Sequence, residues 1–313
     1  MEKRHWQLLC ALLMAFGMIG VTLLTTLAAG GSPWVTTTLS DFAQGTMDGV
    51  DIWSVSGTVQ LDRDWMPNKW VNDALPQGAH YPRLTFVLTN TGSTTETVFM
   101  AVWEDEHICD HNLDVYFDRS INNGRTWGAD VLIEDGVGCS SPNQSTPDIA
   151  PRRADGSLWV VWQDTRNDAG DIYYAVSHDH GGHWVHPVQP VYTGTGTQLW
   201  PRIGSQSESG DMLVAWEDER SDDGDIYLSR HSGSTWSTPV KVSDDTTGAE
   251  QREPSLAVDG SGNAYLVWLD ERDQDQYQGD IYFSRWLSGT TWGDWSTNQR
   301  LSDSSMDFST GPA

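Results

Sequence analysis

The segment Val176–Trp184, VSHDHGGHW, sets His178, His180 and His183 around Asp179, with His186 just beyond. Imidazole nitrogens and a carboxylate at this density are the ligand types of a transition-metal site. A second chemistry is offered by acidic clusters, Asp168 with Asp171 and Asp222 with Asp223 and Asp225. Their oxygens suit Ca²⁺, although the loops lack the ligand spacing of a full calcium loop. Which reading holds depends on whether these stretches are unique or are copies of a repeat.

They are copies. VFMAVWEDE, LWVVWQDTR, MLVAWEDER and AYLVWLDER share one pattern, with Trp103, Trp162, Trp216 and Trp268 in register. Each is followed by LDVYF, GDIYYA, GDIYLS or GDIYFS, then by a Gly/Ser turn and a further tryptophan. The runs PRLTF, PDIAP, PRIGS and PSLAV precede them. Four short strands in roughly 50 residues, repeated, are the mark of a β-propeller blade. The expected fold is all-β, a propeller of four-stranded blades over about 79–140, 146–194, 199–245 and 252–303. The run RLSDSSMDFSTGPA parallels KVSDDTTGAEQREPSLA, so 308–313 reads as the start of a fifth blade and the chain as truncated there.

The turn segments align as S-x-D-x-G-x-x-W and resemble the Asp-box, or bacterial neuraminidase repeat. Its members here are Ser120, Asn122, Gly124 and Trp127; Ser177, Asp179, Gly181 and Trp184; Ser229, Gly233 and Trp236; and Ser284, Gly289 and Trp292. The resemblance implies a structural hairpin in which the Asp bonds turn amides and the Trp packs between strands. His178, His180 and His183 then occupy variable positions of a turn that splays them apart, so no metal site is expected there.

Antiparallel strand order puts the box turns on one face and the loops between the second and third strands on the other. Those loops, EDEHICDHNLD, QDTRNDAGD, EDERSDDGD and LDERDQDQYQGD, hold a large share of the chain's 44 acidic residues. Asp105, Asp164, Asp218 and Asp270 recur there, as do Arg166, Arg220 and Arg272. Such recurrence suggests turn-capping and ion pairs between blades; ligand contact by the three arginines is the alternative.

The run PRIGSQSESGDMLVAWEDERSDDGDIYLSRHSGSTW resembles a blade of the sialidase superfamily, and the likeness extends over roughly 80–300. In that family the likeness implies an arginine cluster for a substrate carboxylate, a Tyr nucleophile with a Glu, and an Asp acid/base. Arg83 in YPRL and Arg202 in WPRI fit arginines at the mouth, although Pro precedes Arg where the family has Arg-Ile-Pro. Asp168 or Asp171, and Asp222 or Asp223, fall where the acid/base loop would be. No Tyr–Glu pair stands out.

Residues 1–30 begin with basic Lys3 and Arg4, continue as an apolar run from Leu8 to Ala29 and end in GGSP. This is the order of an export signal, or of an uncleaved anchor that would be the chain's one link to a membrane. Export would leave Cys109 and Cys139, both expected on the acidic face, as a disulfide. Residues 31–78 read as an N-terminal β segment, with strands in GVDIWSV and GTVQLDRDW. A formal charge of −26 excludes nucleic acid and anionic lipid as partners. The expectation is an exported, non-catalytic sialidase-like propeller, secreted, periplasmic or on the cell surface, that binds a glycan or protein without a cofactor. A sialidase-type glycoside hydrolase and a Ca²⁺-stabilised adhesion module are the alternatives.

Overall fold

The computed structural model describes residues 71, 78–90, 95–106, 112–133, 142–207, 209–221, 224–272 and 279–302, together with the backbone of four short strands before them. The export segment 1–30, Cys109, Cys139, Asp222, Asp223 and the partial repeat 308–313 lie outside the described residues. Among the described residues no helix is long and apolar enough to cross a membrane. The chain divides into two compact units, Met1–Gly45 with Ile52–Pro67, and Thr46–Asp51 with Asn68–Ala313. In the first, β1 (Thr36–Thr38) pairs antiparallel with β4 (Thr58–Gln60). In the second, β2 (Thr46–Met47) and β3 (Val50–Asp51) form a short ladder ahead of the repeats.

The repeats fold as expected into successive antiparallel sheets. Blade I is β5 (His80–Asn90), β6 (Thr95–Asp105), β7 (Asp114–Ser120) and β8 (Val131–Leu132). Blade II is β9 (Gln144–Pro151), β10 (Leu158–Asp164), β11 (Asp171–Ser177) and β12 (Gln189–Tyr192). Blade III is β13 (Gln198–Ser205), β14 (Met212–Asp218), β15 (Asp225–Ser232) and the short β16 (Thr235–Trp236) and β17 (Val240–Lys241). Blade IV is β18 (Gln251–Val258), β19 (Ala264–Asp270), β20 (Asp280–Trp286) and β21 (Gln299–Arg300). The first strand of each blade packs on the first strand of the next, in the order β5, β9, β13, β18, so these strands line the inside.

The second strands of blades II and III read as almost unbroken apolar runs because both their faces are covered by neighbouring blades, whereas β19 of blade IV alternates buried and half-buried residues. Leu158–Asp164 and Met212–Asp218 are buried nearly throughout. The core accordingly lies between the sheets. Val102 and Phe117 of blade I meet Leu158, Val160 and Trp162 of blade II. Trp159 and Val161 then meet Met212, Val214 and Trp216 of blade III, and Leu213 and Leu228 meet Leu266 and Trp268 of blade IV.

The fourth strands depart from the expected single run. In blades I and IV they shrink to two residues, and in blade III β16 and β17 both pair with β15. The cause in blade III is local. His231 and Ser232 pair with Trp236 and Thr235, so the segment closes as a tight hairpin and ends the first stretch of pairing. In blades I and II a side chain organises the same turn. Asn122 Oδ1 accepts the amide of Thr126 at 2.9 Å, and Asp179 Oδ1 accepts that of His183 at 2.8 Å. Ser120 and Ser177 each receive the amide of the turn glycine, Gly124 or Gly181, at 2.9 and 2.8 Å. In blades III and IV the corresponding Ser229 and Ser284 instead donate to the carbonyls of Ser237 and Ser296.

Three tryptophans of these segments, Trp184, Trp236 and Trp292, connect blades. Trp184 meets Phe117 of blade I edge-on at 5.2 Å, and Trp236 meets Tyr174 of blade II at 5.5 Å. The Arg230 guanidinium of blade III lies 4.6 Å from the Trp292 ring of blade IV.

Candidate functional site

His183 Nδ1 lies 2.6 Å from Asp179 Oδ2, a contact that holds the Asp179 carboxyl below the usual carboxylate range. Among the described residues no group of three or more His, Cys, Asp or Glu side chains could hold a metal ion.

The recurrent Asp and Arg on the other face form one module per blade. The indoles of Trp103, Trp162, Trp216 and Trp268 donate to Asp105, Asp164, Asp218 and Asp270 at 3.3, 3.0, 2.7 and 2.9 Å. In blades II to IV the same carboxylate takes both the backbone amide and the guanidinium of the arginine two residues on. Nε of Arg166, Arg220 and Arg272 lies 2.8, 2.7 and 2.9 Å from its Oδ1. Each guanidinium also covers a tyrosine of its own blade, Tyr173, Tyr227 or Tyr282. These ion pairs sit within a blade, where recurrence in the sequence suggests pairs between blades. The carboxylate two residues away is the nearest partner on the same turn, and bidentate pairing favours it. Two contacts do reach outward: Arg220 also covers Tyr192 of blade II, and Arg272 pairs at 2.6 Å with Asp244 on the segment joining blades III and IV.

Asp168 and Asp171 belong to this outer architecture. Asp168 caps Gly170, and Asp171, buried on the third strand, accepts from Asn167 at 2.7 Å. Burial raises the Asp171 carboxyl, but it stands two strands out from the inner one.

Arg83 and Arg202 occupy a different place. At the start of each inner strand the register slips, between His80 and Arg83, Leu199 and Arg202, and Arg252 and Ser255; blade II has its slip opposite Val161 and Gln163. At each slip one residue before a proline takes a left-handed backbone: Tyr81 (φ 49°), Thr146 (φ 51°), Trp200 (φ 52°) and Glu253 (φ 53°). Such a conformation costs a non-glycine residue about 1–3 kcal/mol and persists only where its surroundings hold it. The preceding blade supplies part of that hold. Glu104 accepts the Thr146 amide at 2.7 Å, and Glu217 accepts the Glu253 amide at 3.3 Å.

The kinks aim four equivalent pairs at one end of the inner strands: Tyr81 with Arg83, Thr146 with Asp148, Trp200 with Arg202, and Glu253 with Ser255. The Tyr81 ring, 44% exposed, meets Trp200 edge-on at 5.2 Å, although their blades are not neighbours. Asp148 lies between the two arginines. Its Oδ1 is 3.8 Å from Arg83 Nε, and its Oδ2 accepts the Ile203 amide at 2.9 Å. Burial raises the Asp148 carboxyl, while Arg202, the Ile203 amide and Arg83 pull it back down. Burial likewise lowers Arg202, and Asp148 and Glu253 oppose that shift.

Two buried carboxyls flank this mouth. Burial is the main cause that raises Glu104 and that pushes Glu217 up to about 7. The structure thus brings Arg83 and Arg202 together, and it adds Asp148, Tyr81, Trp200, Glu104, Glu217 and Glu253, none of which stands out in the sequence as a site residue. Their signal lies in the proline shared by PRLTF, PDIAP, PRIGS and PSLAV, which aligns Arg83, Asp148, Arg202 and Ser255 directly. A groove of about 530 Å³ lies on the outer segments of blades III and IV, beside Lys241 and Trp295. Its carboxylates are engaged, Asp244 by Arg272 and Asn298 and Asp245 by Thr247.

The architecture, successive four-stranded antiparallel sheets, is a β-propeller fold that solved structures share. It is similar to the intramolecular trans-sialidase from Ruminococcus gnavus, with a TM-score of 0.52 at 12% identity over 73% of this chain and 71% of that one. The alpha-L-arabinanase of Penicillium chrysogenum gives 0.53 at 17% identity, over 74% and 69% of the two chains. The NanB sialidase from Streptococcus pneumoniae gives 0.53 at 10% identity, over 75% of this chain and 54% of that one. Identities this low carry the fold alone. No family model matches the sequence, and no curated protein matches it.

Proposed function

We propose that the chain is an exported carbohydrate-binding propeller whose ligand sits at the mouth of the inner strands, and that it binds without turning the ligand over. The observation that carries this reading is the Tyr81–Trp200 ring pair, borne on the same strand starts as Arg83 and Arg202, with Asp148 beside Arg83. Aromatic faces stack on the apolar face of a sugar ring, and the guanidiniums and carboxylate beside them bond its hydroxyls. The shared fold with sialidases and an arabinanase supports a carbohydrate over a protein ligand. Export rests on the basic and apolar order of residues 1–30. The test is a glycan array probed with the purified chain. Binding to a defined set of glycans, lost with Trp200→Ala, is expected; an array without signal at high protein concentration overturns the proposal.

One observation favours a second reading, glycoside hydrolysis. A carboxyl held at about 7, as Glu217 is, suits a general acid. Its Oε2 is already committed to the Glu253 amide, which favours the structural role. Release of a fluorophore from aryl sialosides or arabinofuranosides, abolished by Glu217→Gln in a folded protein, would establish the hydrolase.

A further inference from the structure

Three successive inner strands present alternating charge at one level. The residues that follow the strained Xaa-Pro steps are Arg83, Asp148 and Arg202, with Ser255 on the fourth strand. Asp148 is held from both sides. It lies 3.8 Å from the guanidinium of Arg83 in blade I and accepts the backbone amide of Ile203 in blade III at 2.9 Å. Its side chain is 15% exposed, so it lies largely buried between these contacts.

Burial lowers Arg202, and the charges of Asp148 and Glu253 oppose that shift. Nη1 of Arg202 returns to the carbonyl of Pro201 at 2.8 Å, and Nη1 of Arg83 returns likewise to that of Pro82. The third arginine of this end, Arg252, is divided between Glu250 and Glu271 at 3.0 and 2.9 Å. Arg83 and Arg252 thus each pair with a carboxylate of this chain, and the charges of Asp148 and Glu253 act on Arg202. Two positive charges, Arg83 and Arg202, stand against Asp148 and Glu253, with Glu104 and Glu217 behind them.

A ligand carboxylate approaching this pair of arginines would find its place taken by Asp148 and would be repelled by it at short range. A hydroxyl pays no such cost. It can donate to Asp148 and accept from Arg83 or Arg202, while the Tyr81 and Trp200 rings stack on the ring carbons. We propose that the mouth takes an uncharged sugar, and that Asp148 sets this selectivity by filling the arginine pair as an internal carboxylate. The proposal rests on the carbohydrate-binding reading and narrows it to neutral glycans.

The test uses matched glycans on one array, each neutral structure beside the same structure capped with sialic or uronic acid. The wild-type chain should bind neutral members at least tenfold more tightly than their acidic partners. Asp148→Asn, or Asp148→Ser where circular dichroism shows only that variant folded, should gain at least tenfold for the acidic members. Equal or tighter wild-type binding of acidic glycans overturns this inference and leaves the carbohydrate reading standing. A folded Asp148 variant whose discrimination is unchanged has the same consequence. Absence of binding to either member overturns both.

Discussion

Replacing Glu217 with Gln should stabilise the protein at alkaline pH and leave it nearly unchanged in acid. Glu217, the penultimate residue of β14, is 3% exposed, and its side chain accepts the amide of Glu253 from the next blade. Its carboxyl is pushed from 4.5 up to about 7, mainly by burial and further by Glu250 and Glu219, against the opposing Glu253 amide and Arg252. The folded protein thus holds this proton more tightly than the unfolded chain does. The associated stability is fully present below the unfolded value of 4.5 and is lost as pH rises through about 7. At about 1.4 kcal/mol for each pKa unit, that gap corresponds to about 3 kcal/mol as an upper bound. Glutamine carries no charge to desolvate, yet its Oε1 can still accept the Glu253 amide. Blade II already has Gln163 at this position, between Trp162 and Asp164. Urea unfolding followed by tryptophan fluorescence, from about pH 4 to about pH 8.5, gives both stability curves. Glu104 is raised by the same cause and contributes equally to both proteins, so the informative quantity is their difference. It should be close to zero at the acid end and grow by about 2–3 kcal/mol in favour of the variant toward alkaline pH. Parallel curves across this range would refute the assignment of Glu217 as a buried, desolvated carboxyl.

Two further outcomes test the architecture. Gly181→Ala should cost about 3 kcal/mol in thermal or urea unfolding, because Gly181 has a φ of 83° and a Cβ there would overlap the Phe117 ring of blade I; a loss under about 1 kcal/mol would contradict the blade I–II contact. Asp218→Ala should cost about 3–5 kcal/mol, since it strands the Trp216 indole and the Arg220 guanidinium together. Arg220→Ala should cost less, because Asp218 keeps the indole, and equal losses would argue against Asp218 as the hub.

The blade repeat was legible because it is written in residues whose packing role is local. Trp162, Trp216 and Trp268 recur with the Asp that accepts each indole, so motif and contact fall within three residues. The turn around Asp179 was legible for the same reason. Of the mouth only Arg83 and Arg202 were legible; its other members come from different blades and meet only through the packing of inner strands. Asp148 lies in PDIAP, which shares a proline with YPRL and a proline and an isoleucine with WPRI, but its charge is opposite to that of Arg83 and Arg202. Glu104 and Glu217 look in sequence like part of an exposed acidic loop, whereas burial and the amides of Thr146 and Glu253 give them another character. The arginines of the acidic face were visible as a recurrence, but only the geometry shows Arg166, Arg220 and Arg272 each closed on the Asp two residues before it.

The central claim is that carbohydrate binds where Tyr81 and Trp200 meet. Calorimetric titration of the neutral glycan ranked highest on the array, into wild type and into folded Tyr81→Ala and Trp200→Ala, tests it most directly. A loss of affinity of about tenfold or more in each variant, about 1.4 kcal/mol, is the expected result. Saturable binding of equal strength in all three proteins would place the ligand elsewhere and contradict the account.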